Sequence, residues 1–225
     1  MSNWIFLSYP LNDKAFGYGN GERFKLNKLS DMSTGSSSNN TSFQMPTHYG
    51  THIDFPFHFA IDGKKSTDYN AGDFVFENVA VIEINSSTVK DYLININDLH
   101  KVQLLKKNTD LLIVKTGFCA KRYTDEYWEK GLGFHLETAD FLKQNLPNLR
   151  AIGFDLISLN SYQQRAHGRE AHKEFLKKND VLIIEELDLN KVTETTNINK
   201  VIVSPLYMED ADGAPVTIFA EVIEN

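Results

Sequence analysis

The sequence predicts an α/β fold: one domain, residues 1–225, built on a mixed β-sheet flanked by helices. Three observations predict it. Apolar, β-branched runs stand near both ends of the chain, helical periodicity is confined to stretches between them, and no break in composition interrupts the 225 residues. A chain of this length buries one sizeable core, and 41% hydrophobic with 24% charged residues is ordinary for a folded globular protein.

The opening WIFLSYPLND reads as a strand ending in a turn, and a loop with Gly17, Gly19 and Gly21 around Tyr18 follows it. Those glycines lack the buried strand and the spacing of a phosphate loop. STGSSSNNTS, residues 33–42, has almost nothing to bury and is a flexible loop or the tip of a hairpin. FVFENVAVIEI, residues 74–84, suits a strand or half of a hairpin, and residues 99–107 a short helix. Residues 111–114 form a buried strand closed by Thr116 and Gly117. Leu136, Ala139, Leu142 and Leu146 have the spacing of an amphipathic helix, stopped by Pro147. A strand over 151–156, a charged helix over 163–178 and a very apolar strand over 181–187 come next. The last two strands fall around 201–203 and 216–222, with a Gly-Ala-Pro turn at Gly213 between them.

The formal charge of −7 is spread along the chain, so its field repels phosphate backbones and argues against a nucleic-acid partner. Cys119 is the one cysteine, which excludes an internal disulfide and suits a reducing compartment. The apolar Trp4–Leu7 run has no basic region before it and is too short for a signal peptide, and no stretch approaches the roughly 20 apolar residues of a bilayer span. The expectation is a cytoplasmic protein with a small-molecule substrate and no membrane partner, in which the sequons at Asn39, Asn40 and Asn85 stay unmodified.

Chemistry concentrates in THYGTHIDFPFHF, residues 47–59, which holds three of the seven histidines and one carboxylate. His48, His52, Asp54 and His58 all occupy even positions, so an extended backbone would aim the four side chains to one face and Tyr49, Ile53, Phe55 and Phe57 to the other. A helix would not: Asp54 lies about 600° round from His48, and Gly50 and Pro56 would break it. A lone buried histidine is more often a hydrogen-bonded core residue than a ligand. Four polar groups converging without an ion would leave several unpaired, at roughly 1–3 kcal/mol each. Imidazoles and a carboxylate suit zinc, manganese or iron, and three protein ligands with an open position describe a catalytic metal site, where water is activated.

His48-x-Gly50-Thr51-His52-x-Asp54-x-Pro56-x-His58 resembles the HxGTHxDxPxH signature of the cyclase family of metal-dependent hydrolases, which includes kynurenine formamidases and isatin hydrolase. Leu7-Ser8, Val114-Lys115-Thr116-Gly117, Gly153 to Ser158, the helix with His172, the IIEEL strand and Asp212-Gly213-Ala214-Pro215-Val216 follow in the family's order. The resemblance implies the swivelling β/β/α fold of that family, a homodimer or homotetramer, and one or two divalent ions, zinc first and manganese second. It implies that His48, His52 and Asp54 bind one metal, that Asp54, His172 and Glu185 bind the second, and that His58 donates and accepts the proton. The spacing from His172 to Glu185 is one residue longer than the family's, with the extra residue expected in the 177–180 loop. Glu185 and Glu186 face opposite ways in a strand, so only one can ligate, and the family pattern points to Glu185. Thr217 stands where many relatives carry arginine.

The expected reaction is hydrolysis of an aryl formamide, N-formylkynurenine giving kynurenine and formate, with Phe16 and Tyr18 as candidates to stack on the aryl ring. The alternatives are another cyclic amide, imide or lactone such as isatin, and a non-catalytic metal-binding protein of the same fold, against which the intact His58 counts. His167 is expected in solvent, and His100 and His135 without a partner at ligand spacing.

Overall fold

The computed structural model describes residues 2–223. Thirteen strands form in chain order: β1 (Ser2–Phe6), β2 (Lys25–Ser30), β3 (Asn40–Gln44), β4 (His52–Asp54), β5 (Val75–Phe76), β6 (Val79–Glu83), β7 (Leu93–Ile94), β8 (Leu111–Lys115), β9 (Gly133–Phe134), β10 (Ala151–Phe154), β11 (Leu182–Glu185), β12 (Ile198–Pro205) and β13 (Gly213–Ile223). Among the described residues three α-helices, α1 (Asp125–Glu129), α2 (Glu137–Asn145) and α3 (Arg165–Lys173), lie between these strands.

Nine strands make one sheet in the order β5-β12-β13-β4-β11-β10-β8-β6, with β1 also pairing β13. β6, β8, β10 and β11 run parallel, and β4, β13, β12 and β5 add on antiparallel, so the sheet is mixed. Its two ends, β5 and β6, are consecutive in the chain, joined through Glu77 and Asn78, and the sheet therefore curls into a nearly closed barrel.

Alternation sorts the core into two halves. Leu111, Ile113, Ala151, Leu182 and Ile184 point into the barrel with Ile53, Ala214 and Ile218. Their neighbours Leu112, Val114, Ile152, Phe154 and Ile183 point outward beneath Leu142, Ala171 and Phe175 of the helical layer. Being buried on both faces, β8, β10 and β11 carry continuous apolar runs, as parallel strands do.

Several sequence expectations shift. The 74–84 segment is two strands with different neighbours, because Glu77 and Asn78 carry the chain from one sheet end to the other. The 99–107 helix is a short 3-10 turn over His100–Leu104. Gly213, Ala214 and Pro215 are no turn: they open β13 and pair with Asp54, Ile53 and His52, and the chain reverses before them. The polar 33–42 stretch is the tip of a hairpin, β2 with β3, whose Leu26, Leu29, Met32 and Phe43 stay exposed. The helix over 163–178 forms, but its last turn, Glu174–Lys178, is π-helical, with Asn179 N–H donating to the Glu174 carbonyl. That wide turn takes up one residue more than an α-turn and overlaps, at Lys177 and Lys178, the 177–180 stretch expected to absorb the extra residue.

Candidate metal centre

β4 is only three residues long, so the long extended segment expected over 47–59 does not form. Gly50, at φ +70°, turns the chain into β4, and Pro56–His58 is a 3-10 turn with proline at its start. His48 reaches the site from the turn before the strand, His52 and Asp54 from the strand, and His58 from the turn after it. The four side chains do converge, by three kinds of backbone rather than one, while Tyr49, Ile53 and Phe55 are buried elsewhere in the core.

β11 supplies the opposite wall. Glu185 pairs directly across from His52, and directly opposed residues share a face. The carboxylate of Glu185 is 3.3 Å from His52 Nε2, and Asp54 Oδ1 is 3.4 Å from the same atom. α3 closes the cluster from above: His172 Nε2 is 3.7 Å from Asp54 Oδ2 and 3.6 Å from Glu185 Oε1. His48 Nδ1 lies 2.9 Å from Asp54 Oδ1. Two sets share Asp54, His48-His52-Asp54 and Asp54-His172-Glu185, and a third, His48-His58-Asp212, adjoins them through His48; within each, the ligand atoms lie within 4.8 Å of one another. Glu186 is outside these sets and meets Arg122 instead.

Second contacts aim these groups. His52 Nδ1–H donates to the Gly50 carbonyl (2.8 Å) and His172 Nδ1–H to the Gly168 carbonyl (2.7 Å), which leaves each Nε2 lone pair facing the carboxylates. Leu159 N–H donates to Glu185 Oε1 at 2.6 Å and the Ser158 hydroxyl at 3.3 Å. Gly213 faces Asp54 across the β13–β4 pair, and a Cβ there would stand 2.4 Å from His48 Cε1, so only glycine seats that ring.

Burial alone would raise the Asp54 carboxyl, but the imidazoles of His48 and His52 hold it well below the carboxylate range. Burial and Asp54 push Glu185 upward, and its bonds to His172 and His52 bring it down. Burial works against charge on His48, yet Asp54 and Asp212 lift it to about 9. Two carboxylates within reach of three imidazoles, all but His48 almost wholly buried, could hold a divalent cation, whose charge would balance theirs.

Asp212 entered the sequence reading only as the head of the Asp212–Val216 stretch, with no role assigned to it. Its Oδ2 accepts from His48 Nε2 (3.0 Å) and His58 Nδ1 (3.1 Å), and its Oδ1 accepts from the Thr47 hydroxyl (3.2 Å). Those bonds hold its carboxyl far below the usual range. An aspartate before glycine reads as turn chemistry, and only its partners in space reveal the role. His58 stacks on His48 at 3.9 Å between ring centroids, and Phe59 stacks on His172 at 4.4 Å.

Phe16 and Tyr18 are partly buried against the outer core rather than in the ligand sets. Arg23 lies over the Phe16 ring, and the Tyr18 hydroxyl accepts from Asn160 Nδ2 at 2.9 Å, two residues beyond Ser158. His135 and His167 face each other at 4.4 Å, and His167, still partly open to solvent, accepts at Nε2 from Leu136 N–H at the start of α2. Burial pushes the Cys119 thiol up to about 12, which makes it an inert core group.

Comparison with known proteins agrees with this geometry. The Cyclase family model matches residues 5–161. The kynurenine formamidase of Bacillus cereus is 29% identical over 218 residues, covering 96% of this chain and 95% of that protein, and the one from Bacillus cytotoxicus is 28% identical over 216 residues with the same coverage. Isatin hydrolase A from Labrenzia aggregata, bound to benzyl benzoate, superposes with a TM-score of 0.84 at 21% identity over 99% of this chain and 94% of its own. The family model covers well over half of the sequence and the fold is shared along nearly all of it: the chain belongs to the cyclase family.

Proposed function

We propose that this protein hydrolyses the amide bond of an aryl formamide, with N-formylkynurenine as substrate and formate and kynurenine as products. The observation that carries the reading is the placement of the His58–Asp212 pair beside the two carboxylate–imidazole sets. The near-full-length similarity to kynurenine formamidases supports the substrate.

A divalent ion held there would polarise the formyl carbonyl and lower the pKa of water. His48, His52 and Asp54 would hold one ion and Asp54, His172 and Glu185 a second, with zinc the first candidate and manganese the next. Asp212 accepts from His58 Nδ1–H, which fixes the tautomer and leaves Nε2 to work. His58 Nε2 takes the proton of the attacking water as the new C–O bond forms. It returns that proton to the aryl nitrogen as the C–N bond breaks, releasing formate and the free amine. Phe16 and Tyr18 would contact the aryl ring from the entry side.

The same reading places the enzyme in the cytoplasm as a homodimer or homotetramer. Among the described residues no helix is long and apolar enough to cross a membrane. An open cleft of about 990 Å³ beside β1, lined by Trp4, Phe6, Phe43, Met45 and Leu206, supports association with a second copy. Thr217 lies on this cleft's wall rather than in a ligand set.

The decisive experiment gives metal-stripped protein, purified without a histidine tag, zinc or manganese and a panel of aryl formamides and isatin-like rings. Metal-dependent release of formate from N-formylkynurenine, exceeding turnover of the rings, is expected. Turnover that ignores chelation, or that is confined to isatin-like rings, would overturn the assignment.

A further inference from the structure

Beside the cluster lies an ion pair that the proposed chemistry does not use. Arg122 and Glu186 are 2% and 1% exposed, and Arg122 Nη2 is 2.9 Å from Glu186 Oε2. The guanidinium sits over the Tyr9 ring at 4.2 Å, its Nε and Nη1 have no hydrogen-bond partner, and neither has Glu186 Oε2, so the two are joined by charge alone. Two charges removed from water in this way rarely add stability over apolar residues of the same volume, so stability alone does not account for the pair.

Glu186 has φ +55°, a left-handed conformation that costs a non-glycine residue about 1–2 kcal/mol. That turn follows directly on the ligand candidate Glu185 and sends the next carboxylate to Arg122 instead of the ligand sets. The backbone of Glu186 is tied down at both ends: its N–H donates to the Leu156 carbonyl at 2.9 Å, and its carbonyl accepts from the Thr51 hydroxyl at 2.7 Å. Thr51 sits between Gly50, whose carbonyl orients His52, and His52 itself. Arg122 also underlies this loop, since a Cβ on Gly50 would stand 3.8 Å from its Nη2.

We propose that Arg122 is a positioning residue for the metal centre, which by gripping Glu186 fixes both Glu185 and the Gly50–His52 loop in ligand geometry. The inference rests on the reading of His52 and Glu185 as ligands. Arg122 touches neither of them; the grip passes through the strained peptide at 186 and the Thr51 bond.

The test is Mn²⁺ titration of the metal-stripped full-length protein by calorimetry, alongside its melting temperature. Arg122→Met alone leaves a buried carboxylate unpaired and risks misfolding, so the main variant is Arg122→Met/Glu186→Met, which removes both charges. It is expected to fold and to bind Mn²⁺ roughly 10–100-fold more weakly, the usual cost of losing an outer contact of a metal site. Arg122→Lys, which keeps the charge without the planar fork, is expected between the two. A purely structural role would lower the melting temperature and leave the affinity of the folded protein unchanged. Wild-type affinity at both sites in the double variant overturns the proposal. If that variant does not fold, Arg122→Lys decides, and unchanged affinity there overturns it as well. Absence of Mn²⁺ binding by the wild type would instead sink the ligand reading itself.

Discussion

On the inner face of the β4–β11 pair, Ile53 and Ile184 lie opposite each other in the barrel core; one residue along, on the outer face, His52 opposes Glu185. The same few peptides thus build an apolar layer and a polar cluster, and the two obey different rules. The inner face asks only for volume, and neighbouring side chains can shift to suit. Each group on the outer face has a stated partner: Gly50 for His52, Leu159 for Glu185, Gly168 for His172 and Asp212 for His48 and His58. Ligand geometry is therefore the stricter specification, and substitutions should separate the two.

The largest effect is expected from Asp54→Ala, which removes the one carboxylate common to both ligand sets: elemental analysis should find neither ion retained and turnover should vanish, while a variant that still held two ions would break the distinction. His58→Ala is expected to lower kcat by roughly 10²–10⁴-fold with metal content unchanged. Asp212→Asn should cost about 10–100-fold through loss of the His58 and His48 contacts, seen in steady-state kinetics.

A pH series sharpens the comparison further. With its pKa raised to about 9, His48 carries a proton at neutral pH that an entering cation must displace. His52 and His172 are raised too, so metal affinity should climb about tenfold per pH unit for each proton released; a flat profile from pH 6 to 9 would show that none of these imidazoles gives up a proton to the cation. The metal-free protein should behave in the opposite sense. A raised folded pKa contributes stability fully below the unfolded value near 6.5, and this is lost as the pH passes 9, so its melting temperature should fall across that interval. The smallest effect belongs to the inner face: Ile53→Val should cost about 0.5–1.5 kcal/mol in denaturant melts and leave metal stoichiometry alone.

Much of the site was legible in the sequence because its residues are close together. Residues 48 to 58 bring four groups within eleven positions, and a metal explains their company better than any packing argument. Their even spacing suggested one strand, but Gly50 and Pro56 already marked where an extended backbone would end, and the structure follows those two residues. His172 and Glu185 were legible only through family resemblance, since a histidine on a charged helix and a glutamate at a strand end carry no local sign of burial. The roles of Asp212 and Arg122 were illegible for the same reason: each acts on partners far away in sequence. The strands over 111–115, 151–154 and 182–185 were plain from apolar runs, whereas the split at Glu77 and Asn78 depends on closure of the barrel, which no local pattern encodes.

The π-helical turn at Glu174–Lys178 has a consequence for how sequences of this kind should be aligned and altered. A length change falling between the histidine of the helix and the carboxylate of the following strand need not move either one, because a widened turn absorbs the added peptide as local slack. Deleting one residue there should restore an ordinary turn and keep the ligands in place, so a gap at this point between relatives marks a mechanical adjustment rather than a lost metal site.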